Sequence, residues 1–452
     1  MRRPGAEVLS CSTVHGFGTL HLDGPLRNVP GASRCGSNPC VAHHPSRMMG
    51  AWRGTPGARG ALPRPSHGAF ADGRDDVTAT EDPRDTAPAS TPGALPVDPP
   101  PTTADPTPSA PSPSAPARTC RPRTAPVDPD ADASALCLAE TLDRWLADGV
   151  TAVGQQVNIS SDSWDEPLWR LEPQRPAVVG FDLDELVAAA RRGTDWTEDL
   201  ALMAADGVVL TASWHAPNPF SGGDSFDRTG ADRLEALLEE DSAPARRFEA
   251  EWAAVLDLLA RLQEQGAAVL VRPLHEAGGS WFWWGRPDPS TYRALFADLQ
   301  QQAADAGVHN LLWSYGAAVR TWEGVDEPLS LLPDRVDLVG LDTYDCETPP
   351  PDCGGRDADD LARDEVDLTG YAELVAAAPR AALTEVGPAH SPDGTWDPSV
   401  ITRTLAREGL PAAYALLWFD DSFGRKQVSS LKGGKAWLES CPDALCPVGA
   451  AG

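Results

Sequence analysis

The chain has 452 residues, with 44 prolines, 15 tryptophans and a formal net charge of −29. That length would allow up to three domains, but residues 1–130 carry more than half of the prolines and a single tryptophan, Trp52, so the material for a core lies behind them in one large domain. The acid excess falls entirely after residue 135, and such a surface repels phosphate backbones and anionic headgroups, which excludes nucleic-acid and membrane-docking roles and leaves a neutral substrate open.

Residues 1–85 are of low complexity and are expected to be disordered. Met1, Arg2 and Arg3 resemble the charged start of a signal peptide, but Pro4, Gly5, Ala6 and Glu7 follow and no apolar stretch of the required length appears, so the N-terminus does not itself argue for export. Residues 86–130, rich in Pro, Ser, Thr and Ala, read as a linker in extended polyproline II form, with nothing to bury. No apolar run is long enough for a membrane-spanning helix. Six cysteines form three sequence-local pairs, Cys120/Cys137, Cys346/Cys353 and Cys441/Cys446, which suit small disulfide-closed loops and favour an oxidising, extracellular or cell-surface setting. Cys11, Cys35 and Cys40 in the front end leave an odd thiol unassigned.

From Ala135 the rhythm changes to short apolar runs alternating with helical stretches rich in Ala, Leu, Glu and Arg. The predicted strands are Ala152–Val157, Ala177–Leu183, Gly207–Trp214, Ala268–Leu274, Asn310–Tyr315, Val336–Tyr344, Ala381–Thr384 and Ala413–Trp418. Helices are predicted from about Pro244 to Gln263, with Ser242 as cap and Gly266 as stop, and from about Ser290 to Ala306, stopping at Gly307. Eight βα units over residues 135–447 fit a closed (β/α)8 TIM barrel. An open sheet would need a glycine-rich phosphate loop after its first strand, where Gln155, Gln156, Val157 and Asn158 stand instead.

A barrel of this kind carries its chemistry at the C-terminal ends of its strands. Strand three ends in Ser213-Trp214-His215, strand four in Arg272-Pro273-Leu274-His275-Glu276 followed by Gly279-Ser280-Trp281-Phe282-Trp283-Trp284-Gly285, strand six in Gly340-Leu341-Asp342-Thr343-Tyr344, strand seven in Thr384-Glu385-Val386-Gly387, and strand eight in Trp418-Phe419. Glu276 and Glu385 finish strands that are nearly opposite in an eight-strand ring. Two facing glutamates can supply a proton to a departing glycosidic oxygen and a second carboxylate on the other side of the sugar. Indole faces stack on pyranose C–H faces, which makes Trp214, Trp281, Trp284 and Trp418 candidate sugar-binding residues beside His215 and His275; Trp283 is the first expected to be plain core.

These blocks, taken in order over about residues 150–440, closely resemble glycoside hydrolase family 26, which consists mostly of endo-β-1,4-mannanases. The resemblance implies a retaining mechanism with Glu276 as general acid/base and Glu385 as nucleophile. It also implies that His215 and His275 contact the sugar, that Tyr344 orients the nucleophile, and that Trp281 and Trp418 line the subsite. Phe419 follows Trp418 where many relatives carry a polar or basic residue, and the acidic loop from Cys346 to about Asp367 is another departure; both bear on substrate choice. The expectation is a monomer acting on internal bonds of mannan, glucomannan or galactomannan without metal or cofactor. Mixed-linkage β-glucan or β-1,3-xylan is the alternative substrate, and a non-catalytic polysaccharide-binding barrel the alternative function.

Overall fold

The computed structural model describes residues 119–319, 325–346 and 365–448. Eight parallel strands, β1 (Val150–Gln156), β2 (Val178–Asp182), β3 (Val209–Trp214), β4 (Val269–Pro273), β5 (Leu311–Ala318), β6 (Leu338–Cys346), β7 (Ala381–His390) and β8 (Tyr414–Leu417), pair in chain order. The ring closes because β1 pairs with both β2 and β8, so the (β/α)8 barrel is present. A short ninth strand, β9 (Leu445–Pro447), adds antiparallel to the start of β1. All six strands from β1 to β5 and β8 are buried almost throughout, as strands covered on both faces must be, which is why they read as apolar runs rather than as alternation.

Helix α1 (Ala133–Ala147) precedes the barrel. Around the ring, α2 (Glu166–Trp169) follows β1, α3 (Leu183–Arg191) and α4 (Thr197–Ala205) follow β2, α5 (Ala243–Glu264) follows β3, and α6 (Pro289–Asp305) follows β4. Then α7 (Tyr371–Ala377), α8 (Val400–Glu408) and α9 (Gly434–Glu439) follow β6, β7 and β8. Among the described residues no helix is long and apolar enough to cross a membrane. Ser242 caps α5 as expected, accepting from the Ala245 amide at 3.0 Å, and α6 starts at Pro289, one residue before its predicted start, with Asp288 as its cap.

Two apolar layers hold the fold. The larger lies between strands and outer helices. The smaller joins Leu138, Leu142 and Trp145 of α1 to Ala152, Val178, Leu270, Leu312 and Leu338 at the N-terminal ends of the strands, so α1 lies across the barrel floor. Residues 119–130, assigned to the linker from composition, belong to this folded unit. The Val127 amide donates to Asp337, Arg335 reaches the Val127 carbonyl and Asp128 faces His309. The disulfides Cys120–Cys137 and Cys441–Cys446 are both formed; the Cys346/Cys353 pairing, the acidic loop and residues 1–118 lie outside the described residues.

Strand β7 runs six residues beyond its predicted end. Its register against β6 slips by one residue, with Leu341 opposite Leu383 but Asp342 opposite Glu385, leaving Thr384 as a bulge. The bulge allows consecutive residues, Thr384 and Glu385, both to engage lumen groups.

Candidate active site

Leu274 (φ 50°) and Glu276 (φ 52°) at the end of β4 both adopt the left-handed region, a conformation that costs a non-glycine residue about 1–3 kcal/mol and persists only where surroundings impose it. The surroundings are visible. Tyr292 Oη donates to the Leu274 carbonyl at 3.1 Å and Trp284 Nε1 to the His275 carbonyl at 2.8 Å. The Glu276 amide donates to the Gly316 carbonyl on β5 at 2.8 Å. This bracing aims the Glu276 side chain into the lumen.

There its Oε2 accepts from Trp281 Nε1 at 2.7 Å, while the buried Oε1 has no hydrogen-bond partner. Burial, then the charges of Glu385 and Asp342, hold the Glu276 carboxyl well above the ordinary glutamate range; the Trp281 bond opposes them. Glu385 is held differently. Its Oε1 accepts from Arg272 Nη2 at 2.5 Å and its Oε2 from Tyr344 Oη at 2.7 Å, with His275 Nε2 3.9 Å away. Glu276 thus has a single donor, while Glu385 accepts from two. Carboxylate oxygens of Glu276, Asp342 and Glu385 lie within 4.8 Å of one another, so the two glutamates face each other as their strand positions required.

Arg272 and Asp342 complete the arrangement. The guanidinium of Arg272, fully buried, bridges Glu385 and Asp342 (Nη1 to Oδ2, 2.6 Å), and Asp342 Oδ1 accepts from Thr384 Oγ1 at 2.5 Å. Burial raises Asp342 to about 7 against the pull of Arg272. Arg272 crosses the lumen where β5 has Gly316, whose Cβ, if present, would stand 2.8 Å from Arg272 Cδ. The three carboxyls have the spacing of a cation site, and the guanidinium supplies that positive charge from the chain itself.

The histidines are in contrasting states. Burial, then Arg272 and His215, drives the His275 pKa well below its usual value, so the ring is neutral, with Nδ1 buried and unpartnered. Burial also works against charge on His215, but Asp182, 2.7 Å from Nδ1, outweighs it and raises the pKa. The two rings meet edge to face at 4.6 Å, and the partly exposed His215 lies 6.0 Å from partly exposed Trp418, which stacks on Phe419.

The structure brings together Glu276, Glu385, His215, His275, Trp281, Tyr344 and Trp418. It does not bring Trp214 into the mouth: that side chain packs outward on Phe248 and Trp252 of α5, at centroid distances of 5.4 and 5.0 Å. Side chains on a strand alternate, so Trp214 cannot share the lumen with its neighbour His215. Trp284 is also displaced from its expected role, lying fully buried behind His275, stacked on Phe282 at 4.4 Å as a backbone brace. Trp283 is core, as expected, with Nε1 bonded to the Ala216 carbonyl. Arg272, Asp342 and Asp182 have no role in the sequence reading; a charge inside an otherwise apolar strand is the available signal, lone in the strands of Arg272 and Asp182.

The Trp281 bond favours ionised Glu276. In Trp281→Phe any pH limb set by Glu276 is therefore expected to move to higher pH, because that carboxyl then holds its proton longer. A pH-rate profile of the variant beside the wild type checks this, and an unmoved or lowered limb would contradict it.

The model of glycosyl hydrolase family 26 matches residues 127–438. A mannan endo-1,4-beta-mannosidase of Thermothelomyces thermophilus is 30% identical over 280 residues, 59% of this chain and 53% of that protein, so the chain spans about half the length of this relative. One from Bacillus subtilis is 28% identical over 270 residues, covering 55% of this chain and 67% of the relative. A solved Bacillus subtilis mannanase superposes with a TM-score of 0.57 at 25% identity, covering 70% of this chain and 93% of that one. With the family match covering more than half of the sequence and both facing glutamates lying inside it, the chain belongs to glycosyl hydrolase family 26.

Proposed function

We propose that the chain is a retaining endo-β-1,4-mannanase that cleaves internal bonds of mannan, glucomannan or galactomannan through a glycosyl-enzyme intermediate. The observation that carries this reading is the meeting of Glu276 and Glu385 oxygens within 4.8 Å, with burial raising the Glu276 pKa and Arg272 and Tyr344 donating to Glu385. Retaining enzymes hold their two carboxyls about 5–5.5 Å apart, whereas inverting ones leave room for a water at about 6.5–9.5 Å.

In the first step protonated Glu276 gives its proton to the departing oxygen while a Glu385 oxygen forms a bond to the anomeric carbon. Arg272 and Tyr344 hold that oxygen pair in line. Esterification then removes the Glu385 charge, which is the second largest cause of the raised Glu276 pKa. Glu276, now ionised and more acidic, takes a proton from the incoming water, which displaces Glu385 and releases the sugar. His275, neutral and with a free Nδ1, suits a sugar hydroxyl, and His215 with Trp418 forms the rim.

The mannan specificity is supported by the names of the relatives, and an extracellular setting by the two disulfides. The test is hydrolysis of a panel of mannan, glucomannan, galactomannan, mixed-linkage β-glucan and β-1,3-xylan, with NMR of the first product. Turnover of the mannans with release of the β-anomer is expected. Release of the α-anomer would remove the retaining mechanism, and turnover confined to glucan or xylan would remove the substrate.

A further inference from the structure

The loop after β8 delivers a lysine to the back of the site. Lysines are almost never fully buried unless paired, yet Lys426 is 4% exposed. Its Nζ lies 2.7 Å from Asp421 Oδ2, 5.3 Å from the ring centroid of Tyr344 and 5.8 Å from that of Phe423. Tyr344 is the phenol that donates to Glu385.

The loop's shape does not depend on the lysine side chain. Asp420 Oδ1 accepts from the Lys426 and Gln427 amides at 2.7 and 2.9 Å and from Ser430 Oγ at 2.7 Å, and Gln155 Oε1 of β1 accepts from the Val428 amide at 2.8 Å. Ser391, just past β7, pairs with the loop on both sides of Gly424, through Phe423 and Arg425. The Gly424 Cα approaches so closely that a Cβ there would meet the Ser391 carbonyl oxygen at 2.3 Å. Backbone and carboxylate bonds thus build a fixed platform, and the ammonium it presents is directed at an aromatic face rather than at solvent.

We propose that Lys426 is a positioning residue for the nucleophile, acting through Tyr344. This rests on the reading of Glu385 as nucleophile. A cation over a phenol ring is attracted by its π-face, restrains the ring's tilt and draws electron density from the oxygen, which makes the O–H a better donor. That donor bears on Glu385 most when its charge changes, as it attacks the sugar and as it departs from the glycosyl-enzyme. The effect therefore falls on kcat. Asp421 keeps the buried ammonium neutralised, so the pair adds no net charge.

The test is a double-mutant cycle in the intact chain, with manno-oligosaccharide as substrate. Lys426→Met is expected to lower kcat about tenfold, a size between that of an exposed and of a desolvated cation–π contact, with KM within about twofold. Lys426→Arg should keep most of the activity, since a guanidinium can serve both Asp421 and the ring. In a Tyr344→Phe background Lys426→Met should cost nothing further. Additive losses in the cycle, or equal losses in Lys426→Arg and Lys426→Met, would overturn the inference. If Lys426→Met fails to fold, Lys426→Met/Asp421→Asn removes both charges and takes its place in the cycle. Full turnover in Glu385→Ala would instead defeat the reading of the site, whatever the lysine variants do.

Discussion

Glu385→Ala and Glu276→Ala are each expected to lower mannan turnover by about 10³-fold or more, but in distinguishable ways. In the proposed reaction, removing Glu385 removes the atom that bonds to the anomeric carbon, so no substrate escapes the loss. Removing Glu276 removes only proton transfer. A substrate with an acidic phenol as leaving group needs no proton for the first step, so Glu276→Ala should glycosylate normally on it and stall afterwards with a covalent adduct, detectable by intact-protein mass spectrometry. The pH profile separates the two again. Burial and the Glu385 and Asp342 charges keep Glu276 protonated above the usual glutamate range, so wild-type activity should persist there and fall as pH rises through that raised value. In Glu276→Ala this alkaline limb should vanish. An adduct in Glu385→Ala, or an unchanged alkaline limb in Glu276→Ala, would reverse or refute the assignment of roles.

Arg272→Met is expected to cost about 3–5 kcal/mol of stability and to reduce turnover by more than about 100-fold. The guanidinium is the shared partner of Glu385 and Asp342, all three side chains being buried, and a methionine of similar length leaves both carboxylates uncompensated. Those carboxyls would then bind protons more tightly in the folded than in the unfolded chain. The folded state gains relative stability as protons are taken up, so the deficit should shrink as pH falls towards 5 and grow as it rises. Urea unfolding at several pH values measures this. A loss under about 1 kcal/mol, or a deficit that grows on acidification, would contradict the role given to Arg272. Arg272→Lys is not a conservative control, because a single ammonium cannot bridge two carboxylates in the plane that the guanidinium provides.

How much of this was legible follows from what each residue's neighbours leave undecided. The strands could be placed because parallel barrel strands are buried on both faces and their runs of Val, Leu and Ala stand out between polar helices. Glu276 and Glu385 could be placed because a carboxylate ending an apolar strand has few structural uses. The end of β7 could not, since Glu385-Val386-Gly387-Pro388 reads as a turn; the strand continues because β6 offers Thr343 to Cys346 as partners. Trp214 and Trp284 were misplaced for different reasons. Strand alternation, with His215 facing inward, already turned Trp214 outward. The packing of Trp284 depends on Phe282 and the His275 carbonyl, which only the fold brings together. Residues 119–130 read as spacer because prolines have no N–H to donate. Their partners, Asp337 and Arg335, lie some two hundred residues away.

The apolar seal that α1 makes under the strands has a kinetic consequence for the proposed reaction. Among the described residues the floor beneath the strands is packed with apolar side chains, so in the proposed reaction the molecule that ends the cycle comes in from the C-terminal ends of the strands, where the first product leaves. Hydrolysis of the covalent intermediate then waits on departure of the cut polymer end, and a second sugar chain that settles in the vacated place before water does will be joined rather than released.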